Sequence, residues 1–198
     1  HEIDQINKLA EIERLKKIEL AEAYQKVEQS NLLIEQKNKG ITDSIRYAKR
    51  IQQALLQPEQ QVSEDSPEHF ILFKPKDIVS GDFYWVSEKE NYLYVAVSDC
   101  TGHGVPGAFL TMLGMSFLNE IITSVDQLSP AEVLDQLREK FIRELGKTGT
   151  RDGMDISLIR VNKKTKEFQW SGALRPLLVL RKDAQKTEII QGDRQSIC

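Results

Sequence analysis

The sequence predicts an α+β fold in which a long N-terminal helix precedes a domain of antiparallel sheets. Residues 1–57 contain a single glycine, Gly40, and are rich in Glu, Lys and Gln, which favour helix. Short apolar segments separated by turns follow, a pattern typical of antiparallel strands. Two adjacent helical segments interrupt these strands, and this order indicates a layered α+β domain.

A heptad pattern runs through residues 1–57. One core position of the heptad is apolar in seven of eight repeats and the other in four of eight, so the predicted seam is weak. Asn31 and Asn38 occupy the second core position, where polar residues fix register and favour two strands. The pattern predicts a parallel coiled-coil homodimer that serves as a signalling linker. Because the heptad keeps its phase through Gly40, we expect one continuous helix.

The end of this helix has a second interpretation. The heptad places Ile45 and Gln52 in the seam, but an apolar stripe over residues 45–57 equally fits a helix that packs on the following domain. For residues 45–57 this second interpretation is the favoured one. Pro58 ends the helix, and residues 58–68 form a polar linker.

Residues 69–198 form the predicted domain. Pro106 suits the first turn of one helix, and Ser129 followed by Pro130 marks the start of the next. The predicted strands are residues 69–73, 83–86, 92–98, 154–161, 167–171, 177–181 and 187–190, and the helices are residues 106–123 and 130–145.

Two aspartates lie where apolar strands meet tight turns. Asp82 is in Ser80-Gly81-Asp82-Phe83-Tyr84-Trp85, and Asp99 is in Ser98-Asp99-Cys100-Thr101-Gly102-His103-Gly104. Carboxylates beside closely approaching backbone are suited to Mg²⁺ or Mn²⁺. Two such carboxylates could hold a pair of ions that activates water for attack on phosphorus.

In this order and spacing, the two segments resemble the metal-dependent protein serine/threonine phosphatases (the PPM, or type 2C, family), and most closely the bacterial branch of stage II sporulation protein E. The resemblance covers residues 70–198. It implies the first portion of an α-β-β-α sandwich. It also implies a phosphoserine/phosphothreonine phosphatase in which two Mn²⁺ or Mg²⁺ ions hold a hydroxide, and a phosphorylated protein substrate such as an anti-sigma-factor antagonist.

The resemblance assigns roles to single residues. Asp82 and Asp99 match the family's metal carboxylates, and the backbone carbonyl of Cys100 matches its carbonyl ligand. His103 is either a general acid or a histidine bonded within its own turn. We expect Asp155 to make a hydrogen bond near the metal centre without being a ligand.

The chain also departs from the family pattern. A later Thr-Asp-Gly segment and a final Asp-Asp strand, which supply further ligands, are missing, and Gly172-Ala173-Leu174-Arg175 lacks the carboxylate of the corresponding Gly-Asp-x-Arg segment. We therefore expect a truncated domain, inactive alone, within a longer protein that does not start at His1. The alternative is a non-catalytic signalling or dimerisation module. Arg175, Lys74 and Lys76 could bind phosphate, but structural or solvated roles are favoured.

Composition excludes several classes. The net charge is −3 and no basic cluster is present, which argues against nucleic-acid binding. No run of 18 apolar residues occurs, so we expect no membrane span in this chain. Cys100 and Cys198 are expected to be free thiols. We expect a cytoplasmic protein, or the cytoplasmic part of a larger membrane-attached sensor.

Overall fold

The computed structural model describes residues 2–56, 66–146, 152–182 and 186–198, which form two compact units, His1–Ser44 and Ile45–Cys198. Most of the predicted linker, residues 58–68, lies outside the described residues, and the predicted domain boundaries stay predictions. The helices and strands are α1 (Glu2–Leu55), β1 (Asp82–Lys89), β2 (Tyr92–Cys100), α2 (Gly104–Ser124), α3 (Pro130–Leu145), β3 (Met154–Asn162), β4 (Phe168–Ala173), β5 (Leu177–Val179) and β6 (Glu188–Ile190).

Helix α1 runs through Gly40 without a break, which confirms the prediction of a continuous helix. At this point the hydroxyl of Ser44 donates to the carbonyl oxygen of Gly40 at 3.0 Å. The large apolar side chains of the first unit are solvent-exposed, including Leu9, Ile12 and Leu15, which lie outside the predicted seam. Pairing of two such helices stays a prediction.

The last turns of α1 belong to the second unit and pack on its domain. Ile45 and Ala48 are half-buried, and Gln52 and Leu56 are buried. The favoured interpretation of residues 45–57 is therefore confirmed for residues 45–56. Gln52 contacts the domain as a buried polar residue, so its assignment to a coiled-coil seam was wrong.

The four longer strands form one antiparallel sheet in the order β1-β2-β3-β4, and β5 pairs with β6 in a separate antiparallel hairpin. The predicted α+β class, with a long helix ahead of antiparallel sheets, is confirmed. The predicted strand at residues 69–73 is wrong. The apolar pattern there is real, but among the described residues no strand pairs with this segment. It runs along the sheet instead, with the ring of Phe73 edge-on to Tyr84 at 5.4 Å.

One face of the four-stranded sheet packs against α2 and α3. Phe83, Tyr94 and Ile156 project from this face and are almost fully buried. Between the helices, Phe117 and Phe141 meet edge to face with ring centroids 5.4 Å apart. The opposite face is less covered, and its apolar residues line a groove of about 1270 Å³ with residues 67–74.

Both helices have well-defined ends. Ser129 and Glu132 form a reciprocal capping box at the start of α3, and Pro130 occupies the first turn. At the C-terminal end of α2, Nζ of Lys89 donates to the carbonyl oxygens of Ile122 at 2.7 Å and Val125 at 2.9 Å. The end of strand β1 therefore satisfies carbonyl groups that the helix leaves unpaired.

In the part of the chain that the structure describes, α2 is the one helix long and apolar enough to span a membrane by length and composition. Half of its most apolar window is buried inside the domain. Packing against the sheet thus accounts for the apolar composition of α2, and the expectation of no membrane span stays a prediction.

Candidate metal centre

Three aspartates lie side by side at one end of the sheet. Asp82 of β1 is directly opposite Asp99 of β2, and Asp99 is directly opposite Asp155 of β3. Residues directly opposite each other on antiparallel strands project from the same face. The strand register therefore places these carboxylates on the face away from the helices.

The Asp82 carboxyl titrates abnormally because of this arrangement. Burial raises the pKa of Asp82 above its usual value, and the neighbouring Asp99 raises that pKa further. Arg175 acts in the opposite direction. Two carboxylates that repel each other at neighbouring positions form a site that favours positive charge.

A cation from the protein already lies in this site, because the guanidinium of Arg175 forms an ion pair with Asp99. Arg175 follows Leu174, whose φ of 60° is in the left-handed region. The amide of Leu174 donates to the carbonyl oxygen of Asp193 at 2.8 Å. The backbone after β4 is thus held in a turn that directs Arg175 at Asp99.

Glycines allow the start of α2 to approach the segment before Asp82. A Cβ on Gly81 would lie 2.8 Å from the carbonyl oxygen of Gly102, and one on Gly107 would lie 2.9 Å from the same atom. The latter would also lie 3.0 Å from Cα of Gly81. Gly102 itself has a φ of 82°, which glycine adopts readily. No side chain fits between these backbones.

The turn after β2 is also joined to the start of β3. The amide of Thr101 donates to the carbonyl oxygen of Gly153 at 2.9 Å, and the amide of Gly153 donates to the hydroxyl of Thr101 at 3.0 Å. This pairing fixes the backbone just before Asp155. Asp155 is half-buried, and its proposed role beside the metal stays a prediction.

Cys100 and His103 lie on different sides of this turn. The Cys100 thiol is buried against the hydroxyl of Thr111, and burial raises its pKa to about 12. Since Mg²⁺ and Mn²⁺ prefer oxygen ligands, the backbone carbonyl of Cys100 is the group that suits them. The His103 side chain is exposed, and its Nδ1 lies 3.2 Å from Oδ2 of Asp77. His103 makes no side-chain bond to the start of α2. Its role as general acid stays a prediction.

Two residues that contact the segment before Asp82 were not predicted from the sequence to belong to the site. The side-chain amide of Gln52 bonds to both backbone groups of Ser80, and the hydroxyl of Thr111 contacts the carbonyl oxygens of Ser80 and Gly81. The available signal was weak: each is a polar residue on the apolar side of a helix.

Carboxylate and carbonyl oxygens are the ligands that Mg²⁺ and Mn²⁺ prefer. The paired carboxylates of Asp82 and Asp99 have the chemistry that a divalent ion requires. The ion pair of Arg175 with Asp99 shows that positive charge is attracted to this position. These two carboxylates are too few to complete a coordination shell. The described residues contain no group of three or more His, Cys, Asp and Glu side chains that could hold a metal. Water or further oxygen ligands would have to complete the coordination.

Comparison with known proteins agrees with this fold. Residues 89–197 match the family described as stage II sporulation protein E. No curated protein sequence matches the chain.

Several solved structures are similar to this one. The PP2C domain of SiaA from Pseudomonas aeruginosa matches with 35% identity and a TM-score of 0.71, over 81% of this chain and 63% of that one. The phosphatase domain of SpoIIE from Bacillus subtilis matches with 18% identity and a TM-score of 0.49, over 60% of this chain and 34% of that one. A structure of RsbX in complex with magnesium matches with 14% identity and a TM-score of 0.45, over 60% of this chain and 54% of that one.

This chain spans about 63% of the SiaA chain. The family match extends over more than half of this chain and includes β2 and the Asp99 turn. The resemblance stated from the motifs is confirmed: the chain belongs to the stage II sporulation protein E family of PP2C-like phosphatase domains.

Proposed function

We propose that this chain is part of a bacterial signalling phosphatase that hydrolyses phosphoserine or phosphothreonine in a protein with the help of two Mn²⁺ or Mg²⁺ ions. The observation that carries the proposal is the direct opposition of Asp82 and Asp99 on the open face of the sheet. Their mutual repulsion, expressed in the raised pKa of Asp82, is relieved by a cation.

In this proposal Asp82, Asp99 and the carbonyl of Cys100 hold the ions, and Asp155 orients the neighbouring ligands. Bound divalent ions supply activation of water and neutralisation of phosphate charge. His103, with Asp77 against its Nδ1, would donate a proton to the leaving serine oxygen. Lys74 and Arg175 line the same groove as the two carboxylates and could attract the phosphate.

The arrangement also suggests how Arg175 is used. Without a metal, its guanidinium neutralises Asp99. A divalent ion held by Asp99 would take over this neutralisation, and the guanidinium would then be available to bind a phosphate oxygen. Because the described residues contain no group of three side-chain ligands, we propose little or no activity for residues 1–198 by themselves.

The partners follow from the same proposal. The substrate would be a phosphorylated protein, for example an anti-sigma-factor antagonist, in the cytoplasm. The exposed apolar side chains of residues 2–44 would pair with those of a second copy in a parallel homodimer. Changes in that pairing would reach the domain through the end of α1.

The test is Asp99→Asn in the full-length protein, with hydrolysis of a phosphoserine peptide measured at several Mn²⁺ concentrations. We expect loss of Mn²⁺-dependent turnover with an unchanged circular dichroism spectrum. The matched control is Asp135→Asn, an exposed aspartate on α3, which should keep full activity. Retained turnover in the Asp99 variant would refute the assignment.

A non-catalytic signalling or dimerisation module is the second candidate. The ion pair of Arg175 with Asp99 favours it, because a resident guanidinium can stabilise the carboxylates without metal. The two candidates differ in metal binding. Mn²⁺ binding that is lost in both Asp82→Asn and Asp99→Asn supports the phosphatase, whereas a full-length protein that binds no Mn²⁺ supports the second candidate.

A further inference from the structure

The buried side chain of Gln52 joins the end of α1 to the segment that carries Asp82. Gln52 is only 3% exposed. Its Nε2 donates to the carbonyl oxygen of Ser80 at 2.7 Å, and its Oε1 accepts from the amide of Ser80 at 2.9 Å. A side-chain amide that pairs with both backbone groups of one residue fixes the position and the orientation of that residue.

Ser80 transmits this constraint to Asp82. The amide of Asp82 donates to the hydroxyl oxygen of Ser80 at 3.0 Å. Two residues further along the same face, the hydroxyl of Tyr84 donates to the carbonyl oxygen of Leu56 at 2.6 Å. Contacts from the end of α1 therefore hold the chain on both sides of Asp82.

Helix α2 holds the same segment from a second direction. The hydroxyl of Thr111, which is fully buried, lies 3.0 Å from the carbonyl oxygens of both Ser80 and Gly81. The Ser80 carbonyl oxygen thus receives contacts from two helices. The backbone before Asp82 is fixed by buried polar groups, whereas the Asp82 carboxylate itself faces the open groove.

We propose that Gln52 is a positioning residue, which holds Asp82 where its carboxylate can bind a divalent ion. The proposal rests on the proposed metal function of Asp82. Without the amide, the buried N–H of Ser80 would lose its partner and the Ser80 carbonyl oxygen would keep only its contact with Thr111, so the segment would move to satisfy the N–H. Loss of a partner that orients a metal ligand typically weakens metal binding by about 10-fold or more.

The test compares Gln52→Leu, which keeps the side-chain size but removes both bonds, with Gln53→Leu at the exposed neighbouring position. Mn²⁺ binding to the full-length protein is followed by the EPR signal of free Mn²⁺, well below the unfolding temperature. Amide hydrogen exchange of residues 80–82 is measured on the same samples. We expect about 10-fold weaker Mn²⁺ binding and faster exchange in the Gln52 variant, and wild-type behaviour in the Gln53 variant.

A Gln52→Leu protein that unfolds more easily but binds Mn²⁺ with wild-type affinity when folded would show a merely structural role and overturn the proposal. If Gln52→Leu does not fold, Gln52→Glu replaces it. That variant keeps the acceptor for the Ser80 amide and loses the donor, so weaker Mn²⁺ binding supports the proposal and unchanged binding overturns it. A wild-type full-length protein that binds no Mn²⁺ would contradict the metal function itself, and the positioning role with it.

Discussion

Asp82 and Asp99 lie directly opposite each other on neighbouring strands, and Asp99, together with burial, makes the ionised form of Asp82 harder to maintain. The fold keeps them together because the backbone around them is anchored elsewhere, through Ser80 and through the turn of Thr101. Charged groups that destabilise the fold and are nevertheless held in place by ordered backbone contacts are typical of functional sites.

The first prediction follows from this repulsion. In Asp82→Asn we expect a higher unfolding temperature than in the wild type at pH 7 and no difference near pH 3. The pKa of Asp82 is raised in the fold above its usual 3.8, so the ionised carboxylate is destabilising above that range and the protonated one is not. Thermal unfolding of metal-free protein followed by circular dichroism measures this. An equal shift at both pH values would contradict the electrostatic explanation.

The second prediction concerns the two thiols. With iodoacetamide at pH 8 we expect alkylation of Cys198, which is exposed, and no alkylation of Cys100, which is buried with a pKa of about 12. Mass spectrometry of the folded and the denatured chain measures the modification, and denaturation should expose both cysteines. Rapid labelling of Cys100 in the folded chain would mean that the turn opens readily.

The third prediction compares two glycines in helices. A Cβ on Gly107 would lie 2.9 Å from the carbonyl oxygen of Gly102, whereas a Cβ on Gly40 would meet nothing within 4 Å. We expect Gly107→Ala to lose about 1–3 kcal/mol of unfolding free energy through overpacking. Gly40→Ala should keep or raise helix stability by about 1 kcal/mol. Urea unfolding measures both, and a neutral Gly107→Ala would show that α2 can shift.

The fourth prediction concerns pairing of α1. If the exposed apolar residues of α1 form a two-stranded coiled coil, replacing Asn31 and Asn38 by Ile should strengthen dimerisation because polar core positions weaken the seam. Sedimentation equilibrium of the full chain measures the dissociation constant. In the full-length protein the double variant should also fix phosphatase activity at one level regardless of the signal. A monomer at high micromolar concentration would contradict the dimer, and an unchanged signal response would contradict the switch.

Much of the fold could be predicted from local patterns. The end of β2 and the start of α3 follow from features that lie within a few residues. These features are the glycines after Asp99 and the cap at Ser129 with Pro130. The pairing of Asp82 with Asp99 was expected because both follow the same strand-and-turn pattern. For the end of β2 and the start of α3, the signal and the structure it determines are neighbours in sequence.

The rest depends on contacts between distant residues. The apolar segment at residues 69–73 has a strand-like composition, but strand formation requires a partner that composition does not reveal. Gln52 has the appearance of a polar insertion in a heptad, and its partner Ser80 is 28 residues away. The ion pair of Arg175 with Asp99 spans 76 residues and depends on a left-handed turn at Leu174.

Strand β1 holds α2 at both ends. Gly81, just before the strand, touches Gly107 near the start of the helix, and Lys89 at the end of the strand binds the last carbonyls of that helix. The number of residues between these two anchors is therefore fixed. Deleting one residue of α2 would turn the helix by about 100° and carry Thr111 away from Ser80. Insertions and deletions in this family should accordingly avoid α2 and accumulate in the connections beyond it.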